Sequence, residues 1–380
     1  MDNNKLKIAF IGGGTDSAIG MSHLIGLHMD LNFEVVSGCF STNQESNNAS
    51  GMKYHIPPER IYSTLDKMLL KELNNIDAAV ILTPIQLHRD HIEKCIAHNI
   101  PVICEKALTD SISSGKFINS LISQKQSFLA VVYNYLGYPI IRELKAMIEN
   151  KELGNLTHAL IEMPSEGYVR LTKDNKPITP QDWRLNDGNI PTLSLDLGTH
   201  LHSLIKYLTN EKPLKVVATS NSIGNFKGVI DNISGIVKYS NNFECSFWYS
   251  KSSLGYRNGL KVRLFGTNGS AEWHQESPEY LKITNVYGDI KTIDRGSPNI
   301  KIANNSSYTR FKAGHPIGYM EAFANYYNSI AAMLLQYKSN PYCIEDSNIY
   351  SVHTALEGLY LLDAFQKSSQ KEKWVNITYS

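Results

Sequence analysis

Three residues of the 380-residue chain carry side chains suited to moving a proton: Lys106, Asp196 and His200. Lys106 stands in "IPVICEKALTDS", where an apolar run climbs to Cys104 and stops at Glu105 and Lys106. Asp196 and His200 stand in "SLDLGTHLHSL", four apart, so in a helix they share a face. Oxidising a secondary alcohol takes a hydride from carbon and a proton from oxygen, and a group of suitable pKa must accept that proton. A desolvated amine beside a positive charge gives up its proton readily, and imidazole needs less tuning. The plain alternatives are a surface lysine after a strand and an Asp–His pair on a solvated helix.

The elements that would carry these residues follow from the apolar pattern. Over residues 1–135, strand signals ("KLKIAFIG", "FEVVSGCFS", "DAAVILTP", "PVICEK", "SFLAVVYNY") alternate with amphipathic stretches such as "LDKMLLKEL". Near-continuous apolar strands separated by helices predict a parallel sheet covered on both faces, an α/β Rossmann-like domain. Ligands of such sheets bind beyond the carboxyl ends of the strands, where Lys106 falls. From residue 136 to 380 the pattern predicts an α+β domain. A helix and a strand lead into the irregular run 164–194, then the helix of Asp196. Alternating strands follow from 214 to about 293, and two helical runs close the chain. The "NN" and "NG" pairs predict tight hairpins, hence a large, mostly antiparallel sheet.

The first strand ends in "FIGGGTDSAIGMSH". Gly12 and Gly14 supply the G-x-G of a dinucleotide turn, which lets backbone approach a pyrophosphate on a helix N-terminus. Ser17 occupies the place of the third glycine and Gly20 comes three residues later; Thr15, Ser17 and Ile19 complete the expected lining. The second strand ends at Ser41 and Thr42, with no acid for the ribose hydroxyls and no nearby Arg or Lys for a 2′-phosphate. NAD and NADP both stay open; the balance favours NAD, since a phosphate without a cation would be poorly held.

Net charge is +1, from 37 basic and 36 acidic residues, which gives no electrostatic footprint for nucleic acid or a membrane surface. No apolar run is long enough to span a bilayer, and the N-terminal apolar run is too short for a secretory signal. The five cysteines (39, 95, 104, 245, 343) are odd in number and form no C-x-x-C pair, which points to a reducing, cytoplasmic setting. His91, Cys95 and His98 fall on one helix face without a fourth ligand, so no metal site is expected.

The motifs together resemble the Gfo/Idh/MocA family, named for glucose–fructose oxidoreductase and inositol dehydrogenase. They are the glycine turn, "TPIQLH" (Thr83, Pro84, His88), "EKA" (Glu105, Lys106) and "DLGTH" (Asp196, His200), in family order over the whole chain. A longer subgroup is matched by "NYLGYP" (Tyr135), "WR" (Trp183, Arg184) and "GHPIGYMEAF" (His315, Tyr319). The resemblance implies NAD or NADP as cofactor, a sugar, cyclitol or sugar-derivative substrate, and a homodimer or homotetramer formed through the open sheet. By position, it implies that Lys106 and His200 bind and deprotonate the substrate hydroxyl while Asp196 orients them. Thr83, Pro84 and His88 would line the nicotinamide side, Glu105 and Lys106 would border the cofactor, and Tyr135, Trp183, Arg184, His315 and Tyr319 would contact substrate. Ala107 replaces the usual proline after the lysine, and "GNIPTLSLD" replaces a glycine-rich run. Two other readings of the chain stay open: an NAD-dependent glycosidase that works by transient oxidation, as some relatives on the same fold do, and a non-catalytic nucleotide-binding protein.

Overall fold

The structure, a computed structural model, describes residues 5–341 and 348–379; Cys343 lies outside them. The first stretch alternates as the apolar pattern requires. It runs β1 (Leu6–Gly12), α1 (Gly20–His28), β2 (Phe33–Cys39), α2 (Gln44–Lys53), α3 (Leu65–Glu72), β3 (Ala78–Leu82), α4 (His88–Ala97), β4 (Val102–Glu105), α5 (Ile112–Lys125) and β5 (Leu129–Val132). The five strands form one parallel sheet in the order β2-β1-β3-β4-β5. Ile8, Phe10, Val80, Ile81, Ile103 and Val131 are fully buried in it, and each contributes about 1.5–3 kcal/mol by leaving water. The strand order reverses between β1 and β3, the switch point where such sheets bind ligands.

The second stretch comprises α6 (Pro139–Glu149), β6 (Leu156–Pro164), α7 (Thr199–Thr209), β7 (Pro213–Asn221), β8 (Asn232–Tyr239), β9 (Glu244–Ser250), β10 (Lys261–Gly266), β11 (Gly269–His274), β12 (Leu281–Asn285) and β13 (Ile290–Ile293). Next come α8 (Tyr319–Ser339), α9 (Val352–Lys371) and a short β14 (Val375–Asn376). Nine strands make the second sheet, ordered β13-β12-β11-β10-β6-β9-β8-β7-β14. Its pairs are antiparallel except β6 with β9. The "NN" pair does form a tight β8–β9 hairpin: Asn241 and Asn242 both take left-handed backbone, with φ of 54° and 59°. Alternation sorts the faces. On β10, Val262 and Leu264 are buried, whereas Lys261, Arg263 and Phe265 stay half-exposed opposite them. Helices cover the buried face: Phe365 of α9 meets Phe247 and Tyr249 of β9, with centroids 5.5 and 6.1 Å apart.

The chain divides into two units, 1–137 with 319–356, and 138–318 with 357–380. The first boundary falls two residues from the expected one, but residues 319–356 depart from the expectation that 136–380 stay together. The reason is the aromatic face of α8. Phe323, Tyr326 and Tyr327 are buried, and the Tyr326 hydroxyl donates to the Val131 carbonyl at 2.8 Å and accepts the Tyr350 amide at 3.1 Å. Asn325 closes the seam by donating to the Gly137 carbonyl at 2.8 Å. In the second unit, His202 of α7 lies 3.4 Å from Glu357 of α9, with Lys206 3.3 Å from the same carboxylate. Burial pushes the Glu357 carboxyl up, but the hydrogen bond and charge of His202, followed by Lys206, outweigh it and hold the group below the usual carboxylate range.

Two stability predictions follow from these contacts. Tyr326→Phe leaves a buried carbonyl and amide without their partner and should cost about 1–3 kcal/mol in urea unfolding. A depressed folded pKa contributes stability above the unfolded carboxylate value that is lost as pH falls through the folded one. Glu357→Gln should therefore lower Tm at neutral pH and flatten its decline below about pH 4.3, as read by thermal scans across pH.

Candidate functional site

In the first unit the glycine turn is built by close backbone packing. Gly12 and Gly13 have φ of 79° and 70°, a region where side chains are strained. A Cβ on Gly12 would also stand 2.8 Å from the Thr83 methyl, so the turn after β1 and the loop after β3 adjoin at the switch point. The helix begins later than the motif suggests. Ser17 Oγ accepts the amides of Ile19 and Gly20, each at 3.3 Å, just ahead of α1, whose first residue is Gly20. Gly20 performs the third glycine's packing role: a Cβ there would stand 2.0 Å from the Gly13 carbonyl oxygen. The Thr15 amide donates to Ser50 Oγ of α2 at 2.9 Å, and a Cβ on Gly14 would meet that oxygen at 2.8 Å. Glycine at these positions is thus required by the turn's own packing, the close approach of strand, turn and helix that a dinucleotide turn needs to bring backbone to a pyrophosphate. At the tip of β2, the Phe40 and Ser41 amides are taken by Asn47 Oδ1 at 2.7 and 3.2 Å. Ser41 Oγ accepts the Asn43 amide at 3.1 Å.

The loops carrying "TPIQLH" and "EKA" are tied together by one histidine. His88 is 1% exposed; its Nδ1 lies 3.0 Å from the Ala107 carbonyl and its Nε2 3.0 Å from the Thr83 carbonyl. Burial holds its pKa below the ordinary histidine value, against the carbonyls of Thr83 and Ala107 and the Glu105 charge, which favour the protonated ring. The sequence reading set His88 along the nicotinamide side; its ring lies between the two loops and is bonded to both. Thr83 Oγ1 lies 3.1 Å from His91 Nδ1, and exposed Pro84 opens a short 3-10 turn. The peptide joining Lys106 to Ala107 is cis. Among the described residues no group of three His, Cys, Asp or Glu is placed to hold a metal.

Glu105 is buried and bonded beneath the turn. His23 of α1, fully buried, donates from Nε2 to Glu105 Oε1 at 3.1 Å, and its Nδ1 accepts the Tyr327 hydroxyl at 2.5 Å. Burial, then the Glu105 charge, keep the Tyr327 phenol protonated, which makes it the donor. His23 is thus a core histidine with both ring nitrogens bonded. Tyr135 is buried, and its ring centroid lies 6.5 Å from that of Tyr319 at the start of α8.

In the second unit Asp196 stands in a π-helical turn, Ser194–Gly198, that runs directly into α7 with His200. Wider π turns recur at functional sites. Arg184 Nη1 donates to Asp196 Oδ2, and Lys251 Nζ lies 2.6 Å from the same oxygen. The Arg184 guanidinium stacks on Trp183 at 4.4 Å. The Arg184 carbonyl accepts the Tyr168 hydroxyl at 3.0 Å and the Thr192 hydroxyl at 2.9 Å. Arg184 and Asp196 are thus brought together as neighbours. His315, by contrast, has an exposed side chain and is held through its carbonyl, which accepts Arg295 Nη2 at 2.8 Å. The sequence reading missed Ser50 and Lys251. A signal for Lys251 existed, because "WYSK" places it one residue past a strand end, as "ICEK" places Lys106.

The packing at Gly20 yields a binding prediction. Gly20→Ala must move α1 off the turn, at a cost of about 1–3 kcal/mol in fold stability, and a turn so displaced should bind NAD about tenfold more weakly, about 1.4 kcal/mol. Calorimetric titration with NAD reads it, with far-UV circular dichroism unchanged.

Comparison with known proteins agrees with this architecture. Residues 6–133 match the NAD-binding Rossmann-fold model of the GFO/IDH/MocA oxidoreductase family, and residues 141–272 match the family's C-terminal domain model. The chain is 25% identical to the uncharacterized oxidoreductase YfiI of Bacillus subtilis, over 98% of this chain and 97% of that one. An oxidoreductase from Sinorhizobium meliloti superposes with a TM-score of 0.85 at 27% identity, covering 98% of this chain and 99% of that one. An inositol dehydrogenase homolog from Azotobacter vinelandii, complexed with NADH and myo-inositol, has the same fold with a TM-score of 0.88 at 21% identity, over 98% and 97% of the two chains. With both domains matched by the family's models and a tightly packed glycine turn after β1, the chain belongs to the GFO/IDH/MocA family of NAD-binding oxidoreductases.

Proposed function

We propose that the protein oxidises a secondary hydroxyl of a sugar, inositol or sugar derivative, with NAD as the partner in hydride transfer. The observation that carries this reading is the conjunction at the first sheet. A methyl-excluding glycine turn lies at the β1/β3 switch point, and Glu105–Lys106 follows the end of β4, held by His88 and His23. NAD, when bound, supplies the hydride acceptor. Lys106 and His200 hold the substrate hydroxyl and take its proton, and Asp196 orients them. Glu105 borders the cofactor site with its carboxylate fixed by His23. Trp183 offers an aromatic face for a sugar ring, with Arg184 stacked on it. Tyr135, Tyr319 and His315 complete the substrate contacts in this reading. The half-exposed face of the nine-stranded sheet, with Ile236, Trp248 and Arg263, supports assembly as a homodimer or homotetramer.

The test is a panel of inositols, sugars and sugar derivatives with NAD or NADP, followed at the absorbance of the reduced cofactor. Lys106→Met should lower turnover on the best substrate by about 10²–10⁴-fold while NAD affinity stays near the wild-type value. Near-normal turnover in that variant removes Lys106 as the proton acceptor.

A further inference from the structure

Lys251 stands one residue past the carboxyl end of β9, in the middle of the nine-stranded sheet. Its backbone is fixed on both sides: its amide donates to the Asp231 carbonyl and its carbonyl accepts the Tyr168 amide, each at 2.8 Å. The residue is 8% exposed, and its Nζ lies 2.6 Å from Asp196 Oδ2 and 5.0 Å from the centroid of the Tyr168 ring. An ammonium so far removed from water is stable only against a close counter-charge, and the Asp196 carboxylate provides one.

Arg184 reaches the same oxygen from a different support. It belongs to the run between β6 and α7, in a short 3-10 turn, Asp182–Leu185, whose Arg184 carbonyl is bonded by Tyr168 and Thr192 of the same run; the run itself reaches the sheet by backbone bonds near its start, Ser165 to Ser250 and Tyr168 to Lys251. The two cations therefore differ in their support. One is carried by a central strand end and the other by a short turn in a connecting run.

We infer that Lys251 is a positioning residue that anchors the Asp196 carboxylate from the sheet, so that its orientation does not depend on Arg184 alone. The inference rests on the dehydrogenase reading of Asp196. Lys251→Ala and Lys251→Met then lower kcat by about 10–100-fold, the loss that follows when a catalytic group is displaced by about an ångström. The substrate KM and the affinity for NAD stay near their wild-type values.

The experiment measures steady-state kinetics on the best substrate of the panel for both variants, with and without added propylammonium or 1-propanol. Propylammonium replaces the missing chain and charge. It should restore part of kcat in Lys251→Ala and none in Lys251→Met, where the space stays filled; neutral 1-propanol should restore none. A merely structural lysine would not distinguish the charged from the neutral additive. Equal restoration by both additives, or a wild-type kcat in folded variants, overturns the inference. If Lys251→Ala does not fold, Lys251→Met decides alone, since a kcat loss at constant KM supports the role and an unchanged kcat refutes it. A wild-type protein inert on the whole panel defeats the proposed function, and this inference with it. An active wild type matched by its Lys251 variants defeats this inference alone.

Discussion

A carboxylate removed from water keeps its charge only against donors matched to it, and this constraint organises each important position of the molecule. Glu105 is met by His23, which Tyr327 in turn fixes. Asp196 is met by Arg184 and Lys251. Buried Glu143 gathers the amides of Lys301, Ile302 and Ala303. Buried Arg295 holds Glu279 and the carbonyls of Tyr308, Phe311 and His315. The last two clusters explain how the long run after β13 stays ordered without regular structure: side chains at a few buried points replace the backbone ladder it lacks.

The partners come from far along the chain. His23 reaches across 82 residues to Glu105 and across 304 to Tyr327. Helix α8 thereby takes part in the first unit although it follows all of the second sheet but β14. Its near-continuous burial over residues 322–327 is that of a core helix enclosed by α1 and the turn Asn134–Gly137.

Sequence alone made the supports legible where the signal is local. The five parallel strands follow from apolar runs of four to seven residues, and the β8–β9 hairpin follows from "NN". What it did not show depends on distance or on geometry finer than a motif. The return of residues 319–356 to the first unit turns on which face of α8 meets which core, and an aromatic helix carries no address. The two residues of β14 have no pattern of their own and gain one by pairing with Val216 and Lys215. The displaced third glycine was legible as a departure, but only packing shows that Gly20 fills its role, since the contact is with the Gly13 backbone. Lys251 reads as a surface lysine after a strand until Asp196 is seen beside it.

Ser50 gives the glycine turn a second boundary. Its hydroxyl touches the turn from α2, donating to the Ser46 carbonyl at 2.6 Å while accepting the Thr15 amide. The tolerance of Gly14 to replacement is therefore limited by α2, through Ser50, as well as by Phe40 just past the end of β2. Selection on α2 and selection on the turn are coupled, and drift at Ser50 can alter how a dinucleotide is received without any change in the residues that meet it.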